Sequence, residues 1–253
     1  MFSHVFDGII WNMLESSENK TLLLEVRRPA DKTVSFAAYD YGENRFLWRD
    51  ITFEEPWWIN LSGVVGEMVL FTVYTETNNP DQKSLVAYRL REHSIAWWRN
   101  DFSLTAVLGK TVTGFSYKMG MKELALDGDT GAVVEMKKPA EASQNLMVSR
   151  PFQYRAGEPG FETIKAYMAG RFPGEPVLAM DYLEYGGFIV ISYYVQEPDL
   201  ANELMVLDMD GNEVMREKAG QNLSGIGVDT FFVLEGSLFF VKNKSEFLRY
   251  KLI

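Results

Sequence analysis

The phrase "ALDGDTGAVVEM" at residues 125–136 returns in altered form as "VLDMDGNEVMRE" at residues 206–217. In each copy, a small or apolar residue and a Leu lead into a polar turn, and a second apolar stretch follows. An Asp-Gly or Asn-rich pair supplies the positive φ angles that a tight hairpin turn needs. The two phrases therefore predict the same β-hairpin at two places in the chain.

Further copies of this hairpin recur about every 40 residues. They are "AYDYGENRFLWRD" at 38–50, "AYRLREHSIAWWRN" at 87–100, the weak copy "AYMAGRF" at 166–172 and the degenerate copy "FFVKNKSEFLRY" at 239–250. A second phrase gives the same spacing, because "NLSGVVGEMVLFTVY" at 60–74 resembles "NLSGIGVDTFFVLEG" at 222–236. These two lie roughly 160 residues apart, which is four steps of about 40.

Four antiparallel strands in each unit, repeated along the chain, indicate a β-propeller. One small sheet cannot bury both of its faces, whereas stacked neighbouring sheets can. We therefore predict an all-β fold with a single propeller domain over residues 1–253 and about six four-stranded blades. The expected blades are 5–50, 51–101, 102–137, 138–175, 176–217 and 218–253. The alternative is five blades with an insertion at 138–175.

Composition limits what the protein binds. Hydrophobic residues make up 47% of the chain, which predicts a well-filled core. The net charge of −10 repels phosphate backbones and anionic lipids, so we expect no nucleic acid and no membrane as partner. With 0 Cys and 2 His, the chain has neither a thiolate nucleophile nor a multi-histidine metal centre. The N-terminal stretch has no basic region typical of a signal peptide, and we expect a cytoplasmic location.

The hairpin phrase resembles the "ALDADTGKLLW" repeat of quinoprotein-like, WD-like propellers. The matching residues are Ala125-Leu126-Asp127 with Thr130-Gly131, and Ala38-Tyr39-Asp40 with Trp48. The resemblance implies the propeller fold. It does not imply the quinone-dependent activity, because those enzymes are much longer, typically have eight blades and often use a vicinal cysteine pair. A whole-chain similarity to an uncharacterised bacterial propeller family of unknown function is also expected.

The loop at residues 208–212 also has the alternating oxygens of a calcium site. Asp208, Asp210 and Asn212 stand on alternate residues, with Gly211 between the last two. An EF-hand needs a third acidic position, then a glycine, then a Glu six residues further on, with helices on both sides, and this loop lacks that context. We therefore interpret the loop as a hairpin turn and predict no metal ligand there.

Two tryptophan pairs, Trp57-Trp58 and Trp97-Trp98, have two interpretations. Adjacent residues on a strand face opposite ways, so both rings of a pair can be buried between stacked sheets. The other interpretation is a stacking platform for a sugar or a base. It gains weight for Trp57 and Trp58 if the "EEPWW" stretch at 54–58 is a loop before a strand.

The segment 148–176 departs most from the repeat and concentrates basic and aromatic residues in an acidic chain. We predict that Arg150, Tyr154 and Arg155 belong to a binding site for an anionic or aromatic ligand, since irregular loops on a rigid scaffold often carry binding residues. The alternative is a decayed blade or a simple insertion.

No catalytic residues are predicted, because no nucleophile–base or metal motif is present. His93 falls in a predicted turn and His4 in the N-terminal segment, and neither has a partner histidine nearby in sequence.

We favour a non-catalytic module that binds a protein partner or a small ligand. One alternative is a hydrolase or lactonase-like propeller with Ca²⁺ in a central channel, its candidate ligands being Glu54, Glu55, Asp101, Glu175 and Asp181. A second is a subunit of a larger assembly. Apart from that calcium ion, no cofactor is expected.

Overall fold

The structure is a computed structural model that describes residues 1–76, 79, 81–118, 120–136 and 148–253. These residues divide between two compact units. The N-terminal unit is Asp7–Gln144, and the C-terminal unit combines Met1–Phe6 with Asn145–Ile253. Strand β1 (Phe2–Val5) belongs to the C-terminal unit.

The N-terminal unit consists of four-stranded antiparallel sheets in which each strand pairs with the next along the chain. The first sheet contains β2 (Ile9–Ser16), β3 (Thr21–Arg28), β4 (Thr33–Asp40) and β5 (Arg45–Ile51). The second contains β6 (Ile59–Val65), β7 (Met68–Tyr74), β8 (Lys83–Arg89) and β9 (Ser94–Arg99). The third contains β10 (Ser103–Leu108), β11 (Thr111–Ser116), β12 (Lys122–Asp127) and β13 (Val133–Val134).

The second strand of a sheet is an almost continuous apolar run. In β3 the sequence "TLLLEV" is buried throughout, and in β7 "MVLFTV" is buried as well. Such runs are typical of strands covered on both faces. Rings from the first two sheets meet in one cluster, where the centroids of Phe36 and Phe71 are 4.6 Å apart. Stacked four-stranded sheets are the blades of a propeller, and the all-β propeller prediction is confirmed.

The C-terminal unit contains two sheets of five strands and a helix. Its elements are β14 (Val148–Ser149), β15 (Phe152–Arg155), α1 (Pro159–Met168), β16 (Val177–Tyr185), β17 (Phe188–Glu197), β18 (Asp199–Asp208), β19 (Glu213–Gly220), β20 (Phe231–Leu234), β21 (Ser237–Lys242) and β22 (Glu246–Lys251). One sheet has the order β15-β16-β17-β18-β19. The other has the order β1-β22-β21-β20-β14, so the first strand of the chain pairs with the last.

The segment 148–175 is used differently from the predicted fourth blade. It supplies β14 to one sheet and β15 to another, and α1 follows β15, while residues 138–147 lie outside the described part of the chain. The predicted hairpin copy at 166–172 is wrong, because its first residues form the last turn of α1. The helix begins at Pro159, and it buries Phe161 and Met168 at helical spacing. The number of blades stays a prediction.

The two Asp-rich turns are each closed by backbone bonds of an aspartate and a glycine. In the turn between β18 and β19, the N–H of Gly211 bonds to the Asp208 carbonyl, and the N–H of Asp208 bonds to the Asn212 carbonyl. The turn between β12 and β13 is one residue longer: the N–H of Gly131 bonds to the Asp127 carbonyl, and the N–H of Asp127 bonds to the Ala132 carbonyl. Both glycines have positive φ, 82° and 69°. The hairpin interpretation of these phrases is therefore confirmed.

Candidate functional site

Trp57 and Trp58 lie in the loop that connects β5 to β6, one step before the strand begins at Ile59. A single carboxylate oxygen of Glu55, Oε1, accepts the backbone N–H of Trp57 at 3.0 Å and that of Trp58 at 2.8 Å. The loop is also tied to the first sheet, because the Pro56 carbonyl accepts the N–H of Val34 at 2.8 Å. The backbone of the loop that carries both tryptophans is therefore held by hydrogen bonds.

Arg27, at the end of β3, holds this loop from the neighbouring sheet. Its Nη1 donates to the Trp57 carbonyl at 3.2 Å, and its Nη2 donates to the Ile59 carbonyl at 2.9 Å. The guanidinium carbon lies 4.9 Å from the centre of the Trp57 ring and 5.9 Å from that of Trp11. Arginine stacks on indole faces in this way because its planar cation is attracted by the ring quadrupole.

Glu25 neutralises Arg27 from the same face of β3, two residues away. Its Oε1 accepts the Arg27 Nε–H at 2.6 Å, and its Oε2 accepts the backbone N–H of Leu61 at 2.8 Å. The side chain of Glu25 is only 1% exposed and that of Arg27 14%. Both carboxylate oxygens thus have partners, as a buried charge requires.

Trp11 reaches the same place through an irregularity of β2. The pairing of β2 with β3 shifts register between Ile10 and Asn12, so Trp11 is the extra residue of a β-bulge. A bulge re-aims the side chain that it carries. The indole of Trp11 is 66% exposed, and that of Trp58 is 45% exposed.

These side chains surround an open pocket of about 720 Å³. Tyr74 completes the aromatic wall, with its ring edge-on to Trp58 at a centroid distance of 6.5 Å. The lining residues are Trp11, Asn12, Glu25, Arg27, Pro29, Trp57, Trp58, Ile59, Asn60 and Tyr74. We call this the aromatic pocket. Its walls present flat apolar rings and two side-chain amides, and its charged groups are paired with each other.

Arg150, Tyr154 and Arg155 lie in the C-terminal unit and do not share one environment. Arg150 precedes β15 and forms an ion pair with Asp229 at 3.4 Å. Tyr154 is half-buried against α1, while Arg155 follows it on the strand and faces the opposite way. Their role in binding stays a prediction.

Four of the five carboxylates considered for calcium have protein partners. Glu55 caps the Trp57 loop, Asp101 accepts from Ser116 and from the N–H of Tyr117, and Glu175 pairs with Lys165 at 2.7 Å. Asp181 is buried and accepts from Gln153 and Thr230. Glu54 is exposed. Within the described residues, no group of three or more His, Asp or Glu side chains is placed to hold a metal ion.

The two histidines have structural neighbours. His93 lies in the turn before β9 with a φ of 55°, and its ring is 6.5 Å from that of Trp48. His4 lies on β1, with its ring 4.6 Å from that of Phe6. These positions agree with the sequence interpretation of His93 as a turn residue.

The Asp-rich turns use their carboxylates as hydrogen-bond acceptors. The pKa of Asp208 is lowered by the side-chain amide of Asn212 and by the backbone N–H of the same residue. The pKa of Asp127 is lowered by the hydroxyl and the backbone N–H of Thr130. The carboxylates thus stabilise the turns in which they lie, as expected for Asx-type turns.

Sequence reasoning identified two residues of the aromatic pocket and missed the others. Trp57 and Trp58 were conspicuous as a pair after a proline. Glu25 and Arg27 left a weaker signal, because opposite charges at alternate positions interrupt the apolar run of β3. Nothing in the sequence indicated Trp11, because a β-bulge is defined by the pairing of two strands and cannot be recognised from the sequence of one.

Comparison with known proteins adds a partial match to a protein family. The model of a domain of unknown function, DUF4905, matches residues 15–97, which contain most of the first two sheets. No curated protein is similar enough to the chain to count as a match. The match covers Glu25, Arg27, Trp57, Trp58 and Trp97, but neither Trp11 nor Trp98.

Several solved structures are distantly similar. The β-propeller domain of the Trilobed protease from Pyrococcus furiosus is 11% identical with a TM-score of 0.36, covering 97% of this chain and 67% of that one. BamB from Moraxella catarrhalis is 12% identical with a TM-score of 0.31, covering 93% and 74%. A eukaryotic initiation factor is 11% identical with a TM-score of 0.36, and this chain spans about half of its length, 54%. Likenesses this distant say nothing about ligands or activity.

Among the described residues, the helix of the chain is too short and too polar to cross a membrane.

Proposed function

We propose that the protein is a non-catalytic module that binds a small ligand in the aromatic pocket. The observation that carries this proposal is the exposure of Trp11 and Trp58 around a pocket whose other walls are fixed by hydrogen bonds. Large apolar rings are normally buried, so exposed rings that converge on a cavity point to a binding site.

The architecture of the pocket supports binding more than chemistry. Its charged groups, Glu25 and Arg27, are bonded to each other and to backbone atoms. A general acid or base needs a proton that the substrate can reach. What the pocket offers instead is preorganisation, because a ligand that enters it does not have to order the backbone of the loop.

The volume agrees with this role. A cavity of about 720 Å³ falls within the roughly 300–1,000 Å³ that is typical of small-molecule sites. The pocket is lined mainly by apolar side chains with a few polar groups, which is also typical.

Native mass spectrometry of the protein with a mixed small-molecule library tests the proposal. We expect at least one library compound to bind the unmodified protein and to lose roughly tenfold in affinity in Trp58→Ala, since one stacked ring is worth about 1.4 kcal/mol or less. Trp98→Ala is the matched control, because Trp98 is as exposed as Trp58 (49% against 45%) but lies on β9 outside the pocket lining. Binding that is equally sensitive to both variants, or to neither, contradicts the proposal.

A further inference from the structure

We infer that the ligand of the aromatic pocket is a neutral carbohydrate with more than one pyranose ring. This inference rests on the proposed function and names the chemical class that the walls of the pocket select. Three properties of the pocket support this inference: its charge balance, its flat ring faces and its hydrogen-bonding groups that keep unused donors or acceptors.

Charge balance argues for an uncharged ligand. Arg27 and Glu25 neutralise each other at 2.6 Å, so the lining contributes no net charge. Just outside the lining, Lys83 stands 5.3 Å from the Tyr74 ring, and Glu55 carries the opposite charge under the Trp57 loop. An anionic ligand would also meet a chain with a net charge of −10.

The ring faces argue for a flat ligand with an apolar side. The indoles of Trp11 and Trp58 are both substantially exposed, and Tyr74 lies beside the second of them. The C–H face of a pyranose ring is apolar and of the same breadth as an indole. When a pyranose ring stacks on an indole, apolar surface of both rings is removed from water.

The polar groups separate a sugar from a purely aromatic ligand. Asn12 uses an amide N–H on the Leu61 carbonyl at 3.2 Å, and Asn60 uses one on Ser62 Oγ at 3.0 Å. A primary amide has two donors and a carbonyl acceptor, so each retains bonding capacity. Arg27 has five N–H groups and three acceptors among the described residues.

A ligand without hydrogen-bonding groups would displace water from the two amides and from Arg27 without replacing its hydrogen bonds. Each unsatisfied group weakens binding, whereas the hydroxyls of a sugar donate and accept in turn. The volume also leaves room for more than one ring beside the two exposed indoles. A hydroxyl-rich ligand with an apolar face therefore fits all three properties.

Isothermal titration with five neutral hexasaccharides tests the inference: cellohexaose, maltohexaose, xylohexaose, mannohexaose and chitohexaose. We expect at least one to bind, with affinity falling roughly tenfold in Trp58→Ala and in Trp11→Ala and unchanged in Trp98→Ala. Asn12→Leu should weaken the same sugar by about tenfold, since a buried hydroxyl would lose its partner. Two tryptophan variants are used so that misfolding of one does not decide the result.

Three further probes distinguish failure of the inference from failure of the proposed function. They are a hexagalacturonate, adenosine and a proline-rich decapeptide. If one of these binds in a Trp58-dependent way and no neutral sugar does, the carbohydrate inference is overturned and ligand binding by the pocket stands. If neither the five sugars, the three probes nor the library of compounds gives Trp58-dependent binding, both are overturned.

Discussion

Two identical dipeptides in the N-terminal unit, Trp57-Trp58 and Trp97-Trp98, have different structural roles. Trp97 and Trp98 lie on β9, where the alternation of the strand sends the rings to opposite faces. Trp97 is half-buried and donates its Nε1–H to the Gly128 carbonyl at 2.9 Å, whereas Trp98 is 49% exposed. Trp57 and Trp58 lie in a loop, and both rings line one pocket.

The difference shows what a loop can do that a strand cannot. A strand separates neighbouring side chains, and on β9 the tryptophan pair contributes one ring to packing and one to the surface. A loop is free of that alternation but needs external bonds to be rigid. Arg27 and Glu55 supply those bonds to the Trp57 loop from two sides.

The largest effect is expected from removing the acid beneath the pocket. Glu25→Ala leaves the charge of Arg27 partly buried without a counter-ion and leaves the Leu61 N–H without its acceptor. We expect the free energy of unfolding to fall by about 3 kcal/mol, measured by urea denaturation. A fall below about 1 kcal/mol would show that Arg27 does not depend on this carboxylate.

The same variant sharpens the comparison between the two pairs. With 5-fluorotryptophan incorporated, the ¹⁹F resonances of Trp57 and Trp58 should shift in Glu25→Ala, since their loop is held through Arg27. The resonances of Trp97 and Trp98 should stay in place. Glu54→Ala is the control, because Glu54 is an exposed carboxylate in the same loop.

The next largest effect belongs to the packed ring of the strand pair. Trp97→Ala should lower the free energy of unfolding by about 2–3 kcal/mol, because a half-buried ring is lost and the Gly128 carbonyl loses its donor. Trp97→Phe keeps most of the ring and should cost about 1 kcal/mol. Equal losses in the two variants would mean that the indole N–H, and not the ring, accounts for the stabilisation.

Much of this fold was readable from the sequence because its signals are local. Asp-Gly turns and alternating or continuous apolar runs specify hairpins within a few residues, and the turns at Asp127 and Asp208 formed as predicted. Two features of the fold, one long-range and one local, were not predicted. The pairing of β1 with β22 joins the first strand to the last, and no local sequence pattern indicates it. Residues 166–168 resembled a strand but continue the helix begun at Pro159.

The candidate site divides in the same way. Trp57 and Trp58 were recognisable as a pair whose loop position would favour a platform. Trp11, Glu25 and Arg27 come from β2 and β3, and only the packing of two sheets brings them to that loop. The cluster predicted around Arg150 came from composition alone, which does not say which way a side chain points.

A glycine beside the packed tryptophan gives a smaller effect. At Gly131 φ is +69°, and an added Cβ would lie 2.7 Å from the Trp97 ring. At Gly109 φ is +61° and an added Cβ would meet nothing within 4 Å. Backbone strain alone predicts a loss of about 1 kcal/mol for Gly109→Ala, and the contact should add about 1 kcal/mol more for Gly131→Ala. In a Trp97→Ala background the two glycine variants should become equal, and a difference that persists would contradict this explanation.

Acid should destabilise the turn after β12, in which the Gly128 carbonyl accepts the indole N–H of Trp97. The pKa of Asp127 is lowered by Thr130, so the ionised carboxylate stabilises the folded turn at neutral pH. This contribution is fully present above the unfolded pKa of about 3.9 and is lost as pH falls through the lower folded value. We expect the melting temperature of Asp127→Asn to lie slightly below that of the unmodified protein at pH 6 and to converge with it once the pH falls below the lowered pKa of Asp127. A gap that is constant over this range would show that the charge does not matter.

The smallest effect on stability is expected where the two pairs are most alike. Trp58 and Trp98 are similarly exposed, so Trp58→Ala and Trp98→Ala should each change the free energy of unfolding by within about 0.5 kcal/mol. Urea denaturation of the two variants side by side measures this.

The surroundings of these two exposed rings differ, although neither ring is expected to stabilise the fold. Trp98 donates its indole N–H to Asn100 beside it on the same edge of the sheet, whereas Trp58 faces a pocket with Tyr74, Arg27 and Trp11. Equal stability with unequal ligand binding is therefore the result that distinguishes a surface tryptophan from a binding one; a loss of more than about 2 kcal/mol in Trp58→Ala would instead make that ring part of the core.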